Sequence, residues 1–160
     1  MPDASVSFGR ISLVPLEAWK FFPMDEQIVG RRDSRVGGIE ISLKFLDHSP
    51  AARAHAESLR LACQILPAEG ISKPFHVERS STGLRLHGAA SFTAGNDFLR
   101  LWYVHEGNCL VPAIYACKLD QRRSPDAIRE IVECQHMTST IVIQVSAADA
   151  RCDAAPSAAP

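Results

Sequence analysis

One segment in the first half of the chain repeats apolar residues at helical spacing after a Ser-Pro pair. Ser49 precedes Pro50, and the apolar positions recur from Ala52 to Leu66 before Pro67 interrupts them. Serine is a favoured N-cap. Proline fits the first helical position because the N–H that it lacks would have no intrahelical acceptor there. The pattern therefore predicts a first helix that begins at Ser49 and ends at Pro67.

A second Ser-Pro pair near the end of the chain starts a similar pattern. Ser124 precedes Pro125, and Asp126 follows in the first turn, where a negative charge interacts favourably with the helix dipole. The spacing predicts a second helix. Its expected buried stripe consists of Ala127 or Ile128, Ile131, Val132 and Cys134.

Most of the other segments alternate between apolar and polar residues, as half-buried strands do. The strongest are "SFGRISLV", "EQIVGRR", "GGIEISLKF", "PFHVER", "GLRLHGAASFT", "FLRLWYV" and "CLVPAIYACKL", with "TSTIVIQV" as a short closing strand. "PLEAWKFFP" is read as an irregular segment. The order of elements predicts an α+β fold in which about six to seven antiparallel strands form a sheet with two main helices packed on it.

Two of these strands differ in their faces. In "LRLHGAASF", the polar Arg85 and His87 lie on one side, and Gly88-Ala89-Ala90 allows close approach of a helix, a ligand or another backbone. "FLRLWYV" has large apolar residues on both sides. We therefore expect it to be a central strand covered on both surfaces.

The segment "WYVHEGNCLVPAIYAC" contains several side chains of the types that take part in catalysis. A two-residue turn at Gly107-Asn108 pairs Glu106 with Cys109, His105 with Leu110 and Arg100 with Tyr115. A three-residue turn would instead pair His105 with Cys109, as a cysteine nucleophile requires. No recognisable third group orients the histidine, and no oxyanion site is evident. The two-residue turn is the better prediction, and we expect no catalytic residues.

Metal and cofactor motifs are not evident. The six histidines form no H-x-x-H or H-E-x-x-H pattern, and the chain has no P-loop, dinucleotide fingerprint or nucleophile elbow. We expect no metal and no cofactor. Arg31, Arg32 and Arg35 suit a solvated turn better than a phosphate site. Phe21-Phe22, beside Trp19, suit a plug at one end of the sheet better than an exposed anchor for a partner.

Composition changes this picture little. A hydrophobic content of 46% is ordinary for one globular domain, expected over residues 1–145, and the Ala- and Pro-rich residues 146–160 are expected to be a flexible tail. Seventeen basic residues nearly balance 18 acidic ones, which argues against bulk nucleic-acid binding. No apolar run approaches the roughly 20 residues that cross a bilayer, and five scattered cysteines suit reduced thiols, so we expect a cytoplasmic protein.

The order of elements and several phrases resemble the Mog/PsbP-like group of α/β/α sandwich domains. The resemblance lies in "ISLVPLEAW", in "GGIEISL", and in "LRLWYVHEGNCLVPAIYACKL" running into "SPDAIREIVECQHM", and it covers about residues 7 to 145. Some members of that group are envelope proteins, and the chain differs from them in showing no signal segment or lipobox cysteine. The resemblance implies a non-enzymatic bacterial domain of the adaptor, chaperone or immunity type, some of which are associated with secretion.

These observations lead to two alternative expectations about function. The first is a protein-binding module that acts through the sheet face or a sheet edge, with a homo-oligomer left open. The second is a small-ligand-binding protein or enzyme with a pocket between sheet and helix at Gly88-Ala89-Ala90. The residues expected to contact a partner are Arg85, His87, Trp102, Tyr103 and His105.

Overall fold

The computed structural model describes residues 5–46, 55–67 and 69–144. These ranges contain eleven strands and two helices. The helices are α1 (His55–Ala62) and α2 (Pro125–Ser139), and single 3₁₀ turns lie at Cys63–Ile65 and Leu119–Gln121. The strands are β1 (Val6–Phe8), β2 (Ile11–Leu13), β3 (Trp19–Met24), β4 (Gln27–Arg32), β5 (Gly38–Ser42), β6 (Lys44–Phe45), β7 (Phe75–Thr82), β8 (Arg85–Ala94), β9 (Asp97–Glu106), β10 (Cys109–Lys118) and β11 (Val142–Ile143).

In the described residues, eight of the strands form one antiparallel sheet. Its order is β3-β4-β5-β10-β9-β8-β7, and β6 also pairs with β10. A separate three-stranded sheet has the order β1-β2-β11. The predicted α+β class with an antiparallel sheet and two helices is confirmed.

The predicted number of six to seven strands is wrong. "SFGRISLV" is not one strand, because the chain turns at Gly9, whose φ is +55°, and Phe8 pairs with Ile11. The segment read as irregular contains β3, in which Trp19 is buried and Phe21 is half-buried. The proline within β3, Pro23, is compatible with a strand because β3 lies at the edge of the sheet.

The hairpin of β9 and β10 has the register expected for a turn at Gly107-Asn108. Glu106 lies opposite Cys109, and Arg100 lies opposite Tyr115. Gly107 has a φ of +57°, a conformation that glycine adopts without steric strain. The guanidinium of Arg100 lies over the ring of Trp102, with its Cζ 6.0 Å from the ring centroid.

Both faces of the main sheet are covered by helices. On one face, called here the α2 face, Trp102 and Val104 of β9 join the core cluster that includes Ala127 and Cys134 of α2. On the opposite face, the α1 face, Leu101 and other β9 residues join a second cluster with Ala62 of α1. The prediction that β9 is a central strand covered on both surfaces is confirmed.

Helix α2 begins where the Ser-Pro pair predicted. The backbone N–H of Ala127 donates to Ser124 Oγ at 3.2 Å, which satisfies one free donor of the first turn. The buried stripe differs from the prediction in part, because Val132 and Ile128 are 64% and 52% exposed. The buried residues are Ala127, Glu130, Cys134, Met137 and Thr138.

Helix α1 is described from His55 onward, so the predicted cap at Ser49 and Pro50 lies outside the described residues, as does the tail 146–160. The described helix packs Leu59 and Ala62 against the sheet, as the spacing predicted. Neither described helix has the length and apolar character needed to span a membrane.

Strand β7 closes one side of the main sheet, and its residues after Phe75 are exposed. A bulge lies between Phe75 and Glu78, where His76 has a φ of +48°. The nearly buried Arg100 reaches this bulge from two strands away. Its Nη1 donates to the carbonyl of His76 at 2.7 Å and to Ser91 Oγ at 3.0 Å.

Candidate binding cleft

A cleft of about 670 Å³ lies between strands β7 to β9 and the C-terminal end of α2. Its volume is within the range typical of small-molecule sites. Two groups of residues line it. The strands contribute Glu78, Arg79, Ser80, Thr82, Arg85, His87, Gly88, Ala89, Trp102 and Tyr103, and the helix end and the segment after it contribute Gln135, Thr138, Ser139, Thr140, Ile141 and Val142.

The strand register explains why polar residues meet here. Ser80 of β7 lies opposite His87 of β8, and Ala89 of β8 lies opposite Trp102 of β9. Directly opposite residues in antiparallel strands point to the same face, as do residues two positions apart. His87 and Trp102 are therefore diagonal neighbours on the α2 face, with Ser80 beside them on the edge strand.

Trp102 combines burial with an unused donor. Its side chain belongs to the core, and the residue is only 6% exposed. The indole Nε1–H has no hydrogen-bond partner among the described residues. Leaving a buried donor unsatisfied costs about 1–3 kcal/mol, so a bound acceptor at this position would be stabilising.

Arg85 ties the sheet to the segment after α2. Its Nη2 donates to the carbonyl of Ile141 at 2.6 Å, and its Nη1 lies 3.4 Å from Glu106 Oε2. The side chain remains 23% exposed. A guanidinium has five N–H donors, so these two interactions leave further donors available.

The surroundings of His87 favour its neutral form. Burial lowers the pKa of His87, and the positive charges of Arg85 and His55 lower it further. Its Nε2 lies 3.4 Å from Thr82 Oγ1. A neutral imidazole can both donate and accept a hydrogen bond.

Tyr103 and His105 have side chains on the other side of β9 from Trp102. Tyr103 OH lies 2.9 Å from His55 Nδ1, and burial raises the pKa of Tyr103. His105 is 2% exposed, and its Nδ1 lies 2.8 Å from Ser58 Oγ of α1. Arg85, His87, Trp102 and Tyr103 all line the cleft, although the ring of Tyr103 points to the α1 face, and His105 lies beneath α1.

The close approach expected at Gly88-Ala89-Ala90 involves an aromatic ring. Gly88 lies opposite Tyr103, and a Cβ built on Gly88 would lie 2.5 Å from the tyrosine oxygen. Ala89 and Ala90 are both buried in the sheet. The missing side chain at Gly88 therefore makes room for the ring of the neighbouring strand.

The other side chains that could act in catalysis or metal binding do not lie together. Cys109 and His105 point to opposite faces, because Cys109 lies opposite Glu106. Burial raises the pKa of the Cys134 thiol, which makes it a weak nucleophile. Within the part of the chain that the structure describes, no group of three or more histidine, cysteine, aspartate or glutamate side chains could hold a metal ion.

One residue of the arginine cluster and one of the aromatic segment bind the same carboxylate of α2, outside the cleft. Arg32 Nε donates to Glu133 Oε2 of α2 at 2.7 Å, and Trp19 Nε1 donates to the same oxygen at 2.8 Å. Phe21 stacks on Trp19 with the ring centroids 6.4 Å apart, whereas Phe22 is 53% exposed. Trp19 and Phe21 therefore pack against the core, as the plug hypothesis expected, and Phe22 does not.

The helical side of the cleft was not predictable from the sequence. Gln135, Thr138 and Ser139 were assigned no role, because polar residues at a helix end are common and carry no specific signal. The polar run "ERSST" was a better signal for Ser80 and Thr82. A strand without an apolar face indicates an edge, which is where the cleft opens.

Comparisons by sequence give no assignment for this chain: no protein-family model matches it, and no curated protein matches it. Comparisons by structure show a likeness in fold. The solution structure of cyanobacterial PsbP (CyanoP) from Synechocystis sp. PCC 6803 superposes with a TM-score of 0.56 at 9% sequence identity, covering 84% of this chain and 87% of that one.

A crystal structure of a protein from Bacteroides thetaiotaomicron VPI-5482 superposes with a TM-score of 0.53 at 12% identity. The match covers 86% of this chain but only 46% of that one, so this chain spans less than half of the Bacteroides protein. At such low identity, the likeness concerns the fold alone. The resemblance noted in the sequence is therefore confirmed at the level of architecture, and the chain has a PsbP-like fold.

Proposed function

We propose that the protein is a non-enzymatic binding domain that holds an extended segment of another protein along strand β7. The observation that carries the proposal is the exposed backbone of β7 at the end of the main sheet. An edge strand presents unpaired N–H and C=O groups to which a partner segment can add as a further strand.

The register of the β7–β8 hairpin identifies the free backbone groups. Thr82 pairs with Arg85 across a two-residue turn, in which Gly83 has a φ of +61°. The pair that closes such a turn shares both backbone hydrogen bonds, and the bonded positions then alternate along the strand. Arg79 and Ser81 consequently direct their N–H and C=O groups away from β8, toward the solvent.

The charge on this edge suggests the chemistry of the partner. Arg79 is exposed and forms no hydrogen bond or ion pair with another described residue. Glu78, next to it, lies 3.3 Å from Arg100. We therefore expect an acidic residue in the partner segment opposite Arg79.

The bulge and the charges also limit the choice of partner. Bulges and charged residues on an edge strand discourage indiscriminate pairing with other exposed strands. A complementary partner from another protein fits these features better than a second copy of the chain. We further propose that the protein acts as an adaptor, chaperone or immunity protein in the bacterial cytoplasm. The resemblance to the Mog/PsbP-like group supports that role. The free thiols of the four described cysteines support that location.

In the first step of the experiment, the tagged protein is briefly crosslinked in its native cells and purified. Mass spectrometry then identifies the proteins that co-purify with it. The binding of the identified protein is then measured for Ser81→Pro, which removes one outward N–H, and for the matched control Ser81→Ala. We expect Ser81→Ala to bind as the wild type does and Ser81→Pro to bind at least tenfold more weakly, with little change in Tm.

Charge reversal supplies a second test of the same edge. Arg79→Glu should weaken binding, whereas Arg79→Lys should retain most of it. Recovery of a metabolite without any protein partner, or a partner that binds Ser81→Pro as tightly as the wild type, would overturn the proposal.

The non-enzymatic part of the proposal is supported by the dispersal of reactive groups described above. The sharpest test concerns Cys109, the cysteine nearest the hairpin turn. Cys109→Ala should leave any measured activity of the protein unchanged. A turnover that disappears in Cys109→Ala while the variant stays folded would show a cysteine-based reaction.

A further inference from the structure

We propose that the cleft beneath the end of α2 binds small molecules that carry a carboxylate, with Trp102 and Arg85 as the recognition residues. This proposal does not depend on strand addition at β7, although Glu78, Arg79, Ser80 and Thr82 of that strand also line the cleft. It requires side chains of β8 and β9 on the α2 face, whereas strand addition uses backbone groups of β7.

The first argument is an unpaired donor on Trp102, a residue of the cleft lining. Trp102 lines the cleft and is only 6% exposed, and its indole Nε1–H has no partner among the described residues. Native proteins rarely leave such a buried donor unused. A carboxylate oxygen is an acceptor that would complete it.

The second argument is charge. Arg85 is cationic and retains N–H donors beyond those bonded to Ile141 and Glu106. Glu78, the acidic residue in the lining, lies 3.3 Å from Arg100 and is thereby compensated. Arg79 also lines the cleft, so the charged side chains of the lining are two arginines and one glutamate, a balance that favours an anion.

The end of α2 does not counteract this potential strongly. A helix C-terminus carries partial negative charge on its free carbonyl groups. Here these carbonyls already accept hydrogen bonds: Thr138 Oγ1 donates to Gln135 O at 3.0 Å, and Thr140 Oγ1 donates to Met137 O at 2.6 Å. The Nη2 of Arg85 adds a positive charge at Ile141 O.

The third argument is the apolar part of the wall. Ala89, the ring of Trp102 and Val142 line the same cleft as the donors. An apolar wall with a few placed polar groups is typical of a small-molecule site. The ligand class that fits is a carboxylate attached to a compact apolar body.

Nuclear magnetic resonance tests this directly, because the chain has two tryptophans and therefore two indole N–H signals. The signal of Trp19 is an internal control, since its N–H is bonded to Glu133 at 2.8 Å. Three probes of similar shape are titrated into the full chain: benzoate, the neutral benzamide and the cationic benzylammonium. We expect benzoate to shift the Trp102 signal saturably and to leave the Trp19 signal in place.

Variants identify the recognition residues. Arg85→Gln should lower the affinity for benzoate at least tenfold, whereas Arg60→Gln, at an exposed position on α1, should not change it. If Arg85→Gln does not fold, Trp102→Phe measured by calorimetry replaces it and should show a similar loss. The proposal is overturned if benzoate leaves the Trp102 signal unmoved, if both indole signals move together, or if benzamide or benzylammonium acts as strongly as benzoate.

Discussion

Tyr115 of β10 donates a hydrogen bond of 3.0 Å to Glu130 of α2, and neither residue has exposed surface. The same carboxylate accepts bonds from the backbone N–H of Gly37 at 2.7 Å and from Ser34 Oγ at 2.9 Å. One buried carboxylate thus joins the helix, the central part of the sheet and the loop between β4 and β5.

This network predicts a large effect of removing the charge. Glu130→Gln replaces one acceptor oxygen with an N–H₂ group that faces existing donors, so we expect a loss of about 3 kcal/mol in the free energy of unfolding. Chemical denaturation measures it. Glu17→Gln, at an exposed position, is the matched control and should stay within about 0.5 kcal/mol of the wild type. Equal losses in both variants would contradict a structural role for Glu130.

The contact between Gly88 and Tyr103 leads to a prediction about packing. In Gly88→Ala, the added Cβ would lie 2.5 Å from the Tyr103 oxygen and 2.7 Å from the carbonyl of Glu78, so the ring or the edge strand must shift. Overpacking of this kind costs about 1–3 kcal/mol. Gly38→Ala is the control, since its nearest neighbour lies at 3.3 Å. Thermal unfolding should show a clearly lower Tm for Gly88→Ala than for Gly38→Ala.

We expect protonation of the carboxylate of Glu133 to cause part of the loss of stability at acidic pH. Burial alone would raise the pKa of Glu133, but hydrogen bonds from Arg32 and Trp19 outweigh it and lower the pKa below its usual range. A carboxyl group whose pKa is lower in the folded state stabilises the fold above its unfolded pKa of about 4.3, and this stabilisation is lost as the pH falls below that value. Glu133→Gln should therefore lower stability at pH 7 by about 1–2 kcal/mol and have less effect at pH 3. Equal effects at both pH values would contradict this account.

We expect His87 to cause a second change of stability with pH, at less acidic pH values. Burial, together with Arg85 and His55, lowers its pKa, so the folded protein binds the proton less readily than the unfolded chain does. The stability that results is complete above the unfolded pKa of about 6.5 and declines as the pH falls toward the folded pKa. We expect His87→Gln to lose less stability than the wild type between pH 7.5 and pH 5, measured by denaturation at each pH. A steeper loss in His87→Gln would contradict the prediction.

Features set by neighbouring residues could be predicted from the sequence. The Gly107-Asn108 turn fixes the register of β9 and β10, and Ser124 with Pro125 fixes the start of α2, because each depends on contacts a few residues apart. The cover on both sides of β9 was also predictable, since large apolar residues on both faces have to be buried.

Features set by distant contacts could not be predicted in this way. Nothing local indicates that Ile41 of β5 lies opposite Ala113 of β10. The inward position of Glu130 depends on donors from Gly37 and Tyr115, which lie 93 and 15 residues away in the chain. The cleft has the same origin, because it forms only where the end of α2 meets the edge of the sheet.

The bulge in β7 is fixed from inside the domain. Arg100 of β9, 6% exposed, bonds to the carbonyl of His76 and so determines where the edge strand bends. Among the exposed side chains of β7, Glu78 pairs with the same Arg100, whereas those from Arg79 to Thr82 lie beyond the bulge. Selection could therefore alter those side chains to suit a new partner while the shape of the docking edge stays constant, which separates recognition from folding within a single strand.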